Sequence, residues 1–332
     1  MTSTKPSTDR VPTTTAPPAE DLPRMALGDH IDELRSRLIK SVLALVIAML
    51  GVLPFKDQIT GIYVRPYEQV WMSTYQDFLE VLDSRTVNGQ VDDPRLKVTA
   101  ELQADVIDFH KKYRASILDG SYPPEHFPFI QSKGGFGLPR TLKALGGIED
   151  MWVYMAATIL FALALAAPVV IYQVWAFIAA GLYQHERRMV MSSLPWAFVL
   201  FAAGVLFGYF LAVPLGLFML IQFMNPSYVD PSFSVQQYFG LLLVMTGALG
   251  VIFQMPLLMV VINRVGIISH AGFRKYWRHI VVGMFVVSAI LTPPDVVTQL
   301  LMAIPMSILY IVGLVLTWHF ERRRAKAAGV TA

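Results

Sequence analysis

The sequence predicts an all-α integral membrane protein in which six transmembrane helices form a curved bundle with both termini in the cytoplasm. Three observations predict this fold class. Apolar and aromatic residues make up 55% of the 332-residue chain and charged residues only 15%, which gives a mean hydropathy of +0.50. The apolar residues are gathered in long runs, and basic residues lie between alternate runs. A chain of this composition needs lipid as part of its solvent, which excludes a soluble enzyme and a nucleic-acid-binding domain.

The chain begins and ends in polar segments. Residues 1–24 are rich in Thr, Ser and Pro and have no periodic pattern, which predicts a disordered cytoplasmic tail. Residues 321–332 contain four basic side chains and predict a basic cytoplasmic tail. Residues 25–320, between the two tails, are expected to form the membrane domain.

Six apolar runs are predicted to span the membrane, because about 20 apolar residues in a helix cross roughly 30 Å of hydrocarbon. The runs cover residues 38–55, 151–180, 194–223, 239–262, 280–291 and 296–318. The fifth run is short, so it is expected either to include the preceding Tyr276 and Trp277 or to lie in a thinner bilayer. Pro293 and Pro294 follow it and cannot continue a helix, which predicts a tight hairpin of the last two spans.

Basic residues set the predicted orientation. They precede the first span, lie between spans two and three and between spans four and five, and follow span six. The connections 224–238 and 292–295 contain neither Lys nor Arg. Because short cytoplasmic connections carry the excess of positive charge, both termini are expected in the cytoplasm. Four prolines inside the spans predict kinks and therefore a curved bundle: Pro168, Pro214, Pro256 and Pro305.

The connection 56–150 is too long for a simple turn and predicts an extracytoplasmic cap. One amphipathic helix is expected in it, since six apolar residues recur every three or four positions: Val98, Leu102, Val106, Phe109, Tyr113 and Ile117. We expect this stripe to pack against the bundle. A partner-specific role for the cap has no support in the sequence.

Motifs for catalysis, metal binding and nucleotide binding are missing from the sequence. The interiors of the predicted spans contain no ionisable residue, and the chain has no cysteine. The segment from His185 to Met189 departs from the zinc-binding pattern H-E-x-x-H at its last position. We therefore expect a protein that is not an enzyme, with no catalytic residue, no resident metal and no cofactor.

Two acids at the predicted cytoplasmic face are candidates for binding a cation. Glu33 lies four residues before Arg37, and a surface ion pair of these two is the simpler interpretation. Glu186 is the sole acid in a short connection with His185, Arg187 and Arg188, where positive charge alone would satisfy the topology. An acid in that place favours a cationic ligand, and pairing with its basic neighbours is the alternative.

Four segments resemble the signatures of one family, and they occur in the family's order. They are His30–Arg35, Ile171–Phe177, Gly181–Arg188, and Leu291–Val296 followed by Ala303–Pro305. The family is TatC, the multispanning receptor of the twin-arginine protein translocase. The resemblance covers about residues 25–82 and 149–320.

The resemblance implies a receptor and core subunit of the twin-arginine translocation complex in the bacterial plasma (inner) membrane. Such a receptor binds the twin-arginine signal peptides of folded proteins at its cytoplasmic face. It associates with itself and with single-span partners of the TatA and TatB type, and the proton-motive force drives export. The family's signal-binding carboxylates correspond to Glu33 and Glu186, and four neighbours match the same surface: Arg35, Phe177, Arg187 and Arg188. A carboxylate suits this role, because it can accept two hydrogen bonds from one guanidinium group.

Three features need separate interpretation. The first extracytoplasmic connection is longer than the family's usual one, so residues 83–148 inherit no role. Gln254 stands where many members have a glutamate, and it is expected to contact a partner helix, a signal peptide or only a neighbouring helix. A polar group used by the family for partner helices corresponds to Thr292, Asp295 and Gln299. We expect Thr292 and Gln299 to face lipid without hydrogen-bond partners of their own, with helix capping by Thr292 or Asp295 as the alternative.

Two other functions fit a hydrophobic six-helix chain. A small-molecule secondary transporter would be expected to show an internal repeat and a binding site at the midplane. The sequence shows no repeat between its halves and no charge at the midplane. A structural membrane scaffold would explain the composition but not the acid among cations at Glu186.

Overall fold

The computed structural model describes residues 27–84, 86–87, 90–91, 100–119, 142–182, 184–223, 234–292 and 296–327, and these residues are mostly helical. The predicted tail 1–24 lies outside them. The first three helices are α1 (Leu27–Val52), α2 (Lys56–Ser84) and α3 (Ala100–Leu118). A two-stranded antiparallel hairpin of β1 (Thr86–Val87) and β2 (Gln90–Val91) follows α2. The remaining elements are α4 (Glu149–Ala180), α5 (Gln184–Ser192), α6 (Leu194–Phe207), a π-helical segment (Gly208–Ala212), α7 (Val213–Phe223), α8 (Val235–Ile252), α9 (Met255–Arg264), α10 (His270–Leu291) and α11 (Val296–Ala327).

Four helical segments of the described residues are long and apolar enough to cross a membrane. They are Glu149–Ala180, Leu194–Ile221, Val235–Arg264 and Val296–Arg324. A fifth candidate arises if α1 and α2, bent by 98° at their junction, are taken as one broken span. The fold is therefore that of a helical membrane protein with four to five span candidates, and the count of six stays a prediction.

The short fifth run lies in a longer helix than its apolar residues alone require. Helix α10 begins at His270 and continues without a break to Leu291. Tyr276 and Trp277 therefore belong to the same helix as the apolar run, and their inclusion in a membrane span stays a prediction. Arg274, Lys275 and Arg278 lie in the same half of the helix, which lowers its mean hydropathy. Helix α11 in turn continues through residues 321–327, which were expected to begin the basic tail.

The cap contains a long helix, α2, that the sequence analysis treated only as connection. One stripe of α2 is buried and mostly aromatic: Ile59, Tyr63, Tyr67, Val70, Trp71, Tyr75 and Leu79. This stripe packs with residues of α4, α7 and α8 in the largest core cluster of the described residues. The predicted amphipathic helix is confirmed as α3, and its Ile117 is fully buried in the same cluster. The cap is therefore a packed layer and shares the core of the bundle.

Three tyrosines from the bundle hold the start of the cap. Pro66 lies inside α2 and has no N–H, so the carbonyl of Ile62 loses its helical partner. The hydroxyl of Tyr209, in the π-helical segment, donates to that carbonyl at 2.5 Å. Tyr238 of α8 donates to the carbonyl of Tyr63 at 2.5 Å, and Tyr154 of α4 donates to the carbonyl of Leu53 at the junction of α1 and α2. Side chains of the bundle thereby pair backbone carbonyls at the start of the cap, including the one freed by Pro66.

Glycines bring α6 and α8 into backbone contact. A Cβ atom placed on Gly204 would lie 2.5 Å from the carbonyl oxygen of Leu249, and one on Gly208 would lie 2.7 Å from the Cα of Thr246. Gly204 and Gly208 are four residues apart and therefore lie on one helix face. Small residues at this spacing allow close packing of helices in lipid, where no hydrophobic effect drives their association.

Candidate functional site

The candidate site lies where the N-terminal half of α1 meets the C-terminal half of α4. The two helices run antiparallel, since Ala48 packs with Ala162 and Ala166 while the earlier Arg37 reaches the later Gln173. Helix α5 follows α4 after a short connection and is held by Val190, which packs with Trp175 and Ala179 of α4 and with residues of α6 and α9. The three elements that carry the predicted signal-binding residues therefore come together at one end of the bundle.

Glu33 forms an ion pair with Arg37 that is anchored to the next helix. Both Nε and Nη2 of Arg37 lie 2.7 Å from Oε1 of Glu33. The third nitrogen, Nη1, donates to Oε1 of Gln173 on α4 at 3.1 Å. The side chains of Arg37 and Glu33 are only 19% and 27% exposed. The i,i+4 pair expected from the spacing is present, and it is partly buried and fixed between two helices.

This arrangement leaves one carboxylate oxygen open. All contacts of Glu33 with described residues use Oε1, so Oε2 has no partner among them. Arg37 and Gln173 are members of this group that were not among the predicted signal-binding residues. Gln173 is the sole amide in the apolar run 151–180, and a buried amide at that depth was the available signal for it.

The other predicted signal-binding residues lie around this group. Arg35 is exposed on α1, Phe177 is half-buried near the end of α4, and Arg187 and Arg188 are exposed on α5. The backbone of Glu186 belongs to α5, but its side chain lies outside the described residues. The structure thus places the segments of both acids at one end of the bundle and describes the side-chain contacts of Glu33 alone.

Comparison with known proteins assigns the family. A family model described as Sec-independent protein translocase protein (TatC) matches residues 29–305. This chain belongs to the TatC family. It is 37% identical over 188 residues to the Sec-independent protein translocase protein TatC of Azotobacter chroococcum mcd 1, over 57% of this chain and 73% of the relative. It is 29% identical over 307 residues to the TatC protein of Deinococcus radiodurans, over 92% and 90% of the two chains.

Solved TatC structures have a similar fold. A crystal structure described as twin arginine translocase receptor TatC superimposes with a TM-score of 0.60 at 25% sequence identity, covering 87% of this chain and 97% of that chain. A second TatC structure, in the detergent DDM, gives the same TM-score at 26% identity. The expected family is therefore confirmed by both sequence and fold.

Gln254 of this TatC-family chain lies at the break between α8 and α9. Its Nε2 donates to the carbonyl of Ala197 on α6 at 3.0 Å, so the expected hydrogen bond to a neighbouring helix is present. Its Oε1 is buried and has no hydrogen-bond partner, which is true of no other buried side-chain nitrogen or oxygen in the described residues. Leaving a buried acceptor unpaired costs about 1–3 kcal/mol. The Gln254 amide therefore has a hydrogen-bond partner for its nitrogen and none for its oxygen.

The polar residues of the hairpin are bonded within the chain. The Thr292 side chain is 6% exposed and donates to the carbonyl of Ser288 at 2.9 Å. The amide of Gln299 on α11 donates to the carbonyl of Phe285 on α10 at 3.1 Å, and Ser288 donates back to the carbonyl of Gln299 at 2.6 Å. The expectation that Thr292 and Gln299 lack hydrogen-bond partners is thus wrong, because Thr292 bonds to the last turn of α10 and Gln299 joins α11 to α10. Thr292 lies at the C-terminal cap of α10, and Asp295 is outside the described residues.

A further carboxylate, which the sequence analysis did not single out, joins three helix ends of the TatC fold. Oε1 of Glu321 on α11 accepts hydrogen bonds from the amide of Asn263 at 2.6 Å and from the backbone N–H of His270 at 2.7 Å. The ring of His270 also lies 3.2 Å from the hydroxyl of Thr317. Glu321 therefore holds the start of α10 against the end of α9, where the positive end of the α10 dipole favours an anion.

Proposed function

We propose that this chain is the signal-peptide receptor and core subunit of a twin-arginine translocation complex in the bacterial plasma membrane. The proposal includes six spans, a cytoplasmic tail at 1–24, a membrane domain at 25–320 with the cap at 56–150, and cytoplasmic termini. Membership of the TatC family supports it, as does the description of similar solved structures as twin arginine translocase receptors. The basic connections between alternate spans support the orientation.

The partly buried group of Glu33, Arg37 and Gln173 is the observation on which the receptor role rests. A carboxylate that is already held by one guanidinium is positioned before the ligand arrives, so binding loses little side-chain freedom. The open Oε2 of Glu33 can accept hydrogen bonds from a signal arginine while Arg37 stays bound to Gln173. We assign one signal arginine to Glu33 and the other to Glu186.

The neighbouring side chains are assigned supporting contacts with the signal peptide. Arg35, Arg187 and Arg188 are exposed donors without acceptor function, so they can bind backbone carbonyls of an extended peptide. Phe177 is half-buried and offers an apolar contact beside them. Recognition then requires two carboxylates for the arginines and three cations for the peptide backbone.

Partner helices of the TatA and TatB type are assigned to a second region, formed by Gln254, Thr292, Asp295 and Gln299. The unpaired Oε1 of Gln254 is the strongest support, because a donor from a partner helix would satisfy this buried atom once docking had exposed it. Thr292 and Gln299 already bond within the hairpin, so a partner would have to share or replace those bonds. Export with these partners, self-association in the complex and use of the proton-motive force complete the proposal.

Peptide binding tests the receptor role directly. The purified protein would be titrated with a signal peptide that carries paired arginines and with one that carries paired lysines. We expect tighter binding of the arginine peptide and a loss of at least about 30-fold in the variant Glu33→Gln/Glu186→Gln, because truncating one partner of a shielded charge pair costs about 2–5 kcal/mol.

The matched control is Glu68→Gln/Glu80→Gln, which removes two exposed acids from the cap helix α2. Its affinity for the arginine peptide should equal that of the wild type. A thermal unfolding curve separates loss of recognition from loss of fold. Equal arginine-peptide affinity in the wild type and in the Glu33→Gln/Glu186→Gln variant would refute the receptor assignment of these two residues.

A further inference from the structure

The N-terminal half of α10 exposes side chains all around the helix. Residues 274–279, with the sequence Arg-Lys-Tyr-Trp-Arg-His, are six consecutive exposed positions. A helix that packs along a bundle normally buries one position in every three or four. Only the flanking Phe273, which is buried, and Ile280, which is half-buried, hold this segment to the rest of the chain. The segment 274–279 is therefore available to a ligand from several sides.

The three permanent cations of the segment have no anion beside them. Arg274 makes no hydrogen bond, ion pair or ring contact with any described residue. Lys275 contacts only the ring of Tyr276, at 5.5 Å, and Arg278 only the ring of Trp277, at 5.7 Å. Arg274 and Arg278 lie one turn apart on the same face, where like charges repel. An anion placed between the two guanidinium groups would remove this repulsion.

The segment lies alongside the apolar part of α11. Tyr310 donates to the carbonyl of Phe273 and Gln299 donates to that of Phe285, which fixes the antiparallel register of the two helices. Interpolation between these contacts sets Arg278 level with Met306. Along α11, Met306 lies about 18 Å from Trp318, where the predicted apolar run of that helix ends. Arg278 is thus too deep to reach the level of Arg322 with its own side chain, and a charge at such depth requires a counter-charge.

We propose that the segment 274–279 binds the phosphate of an anionic phospholipid, with Arg274 and Arg278 on either side of the phosphate. The exposed rings of Tyr276 and Trp277 then lie at the glycerol level, where such amphipathic rings are enriched. The acyl chains follow exposed apolar side chains, which lie beyond the segment on α10 at Val282 and Val286 and alongside it on α11 at Ile304 and Ile308. Basic groups above an apolar strip match a lipid, since a soluble acidic ligand would use only the basic groups.

The preference for positive charge on the cytoplasmic side does not by itself explain the spacing and depth of Arg274 and Arg278. Positive charge that only orients the chain needs no fixed spacing and lies at the membrane edge. Here two arginines share one face, form no ion pair with any described residue, and lie on a helix that packs along α11. The site uses none of the residues assigned to signal peptides or to partner helices, so its test is independent of the receptor role.

Lipid retention measured by native mass spectrometry tests the proposal. The purified full chain would be incubated with equal amounts of dioleoylphosphatidylglycerol and dioleoylphosphatidylcholine. We expect the wild type to retain phosphatidylglycerol selectively and Arg274→Gln/Arg278→Gln to lose roughly 10- to 30-fold of that binding. Arg65→Gln/Lys111→Gln is the matched control, because it removes two exposed bases from the cap.

Each further outcome decides the question. Equal phosphatidylglycerol retention in the wild type and the α10 variant, or an equal loss in the α10 variant and the control, overturns the site. Displacement of the bound lipid by millimolar inorganic phosphate overturns the assignment to a lipid. If the double variant does not fold, Arg274→Gln is measured alone, because Arg274 has no contacts within the described residues to lose. A loss of about fivefold is expected for it.

Discussion

Gln254 is the residue at which structure and function can be separated most cleanly. Its nitrogen bonds to the carbonyl of Ala197, whereas its buried oxygen has no partner within the described residues. One hydrogen bond contributes about 0.5–1.5 kcal/mol, and one unpaired buried acceptor costs about 1–3 kcal/mol, so the gain is offset. The amide therefore adds little net stability to the isolated chain, which favours a role in binding over a role in folding.

We predict that Gln254→Met leaves the thermal unfolding temperature within about 3 °C of the wild type, because the two opposing contributions are removed together. The same variant should retain less of a single-span TatA-type partner during co-purification from membranes. Gln173→Met is the comparison, since it removes the oxygen that accepts from Arg37 and should lower signal-peptide affinity instead. Undiminished partner retention by Gln254→Met would remove this residue from the docking region.

The ion pair of Glu33 can be predicted from the sequence, whereas the hydrogen bond of Gln173 cannot. The spacing of Glu33 and Arg37 along one helix is enough to predict their ion pair, and the structure confirms it. The bond from Arg37 to Gln173 joins residues 136 positions apart. It depends on how α1 packs on α4 through Ala48, Ala162 and Ala166, and no local pattern encodes that contact. The polar atoms of a site are thus predictable in type, while their partners require the packed helices.

At the scale of elements, the apolar runs predicted helices well because a lipid-facing helix needs a long uninterrupted run. Helix α2 has no such run, and Pro66 in its interior argues against a helix. The signal for α2 was the four-residue spacing of its buried aromatic stripe. Tyr209 supplies the hydrogen bond that offsets the effect of the proline, and a partner 147 residues away cannot be read from the local sequence.

We predict that Gly204→Ala destabilises the packing of α6 on α8 by about 1–3 kcal/mol. The added methyl group would lie 2.5 Å from the carbonyl oxygen of Leu249 and 2.9 Å from the Cα of Gly250, and neither backbone atom can move aside as a side chain could. Thermal unfolding in detergent measures the effect.

Gly247→Ala on α8 is the matched control, because nothing lies within 4 Å of its added Cβ. That variant should be neutral or slightly more stable, since alanine is the better helix former. A Gly204→Ala protein as stable as the control would show that the two helices can separate freely at this crossing.

At the scale of the whole molecule, the cap and the candidate receptor surface belong to opposite ends of the bundle. The cap is joined to the start of α4 and the start of α8 by Glu149, which accepts hydrogen bonds from Ser234, from the N–H of Gln236 at 2.9 Å and from the N–H groups of Leu145 and Gly146. The receptor group of Glu33 lies at the far end of α4. Changes in the cap should therefore lower the stability of the protein more than they lower its affinity for signal peptides.

We predict that replacing residues 85–141 with a short Gly/Ser linker preserves signal-peptide affinity and lowers stability by about 2–5 kcal/mol, because Ile117 leaves the core. Replacing residues 83–148 should destabilise the chain further, since it also removes Leu145 and Gly146, whose N–H groups donate hydrogen bonds to Glu149. Peptide titration and thermal unfolding of both variants provide the measurement. A properly inserted variant that no longer binds the peptide would reveal coupling between the cap and the receptor surface.

The tyrosines that hold the bend between α1 and α2 also determine when that bend can form during synthesis. Tyr154, Tyr209 and Tyr238 are separated from their acceptor carbonyls by 101, 147 and 175 residues. Contacts of such long range form only after the intervening chain has emerged from the ribosome and entered the membrane. The bend between α1 and α2 therefore remains without its final geometry until α8 has been inserted. Until then the Ile62 carbonyl is left to water, so the bend takes its final form well after the two helices that it joins.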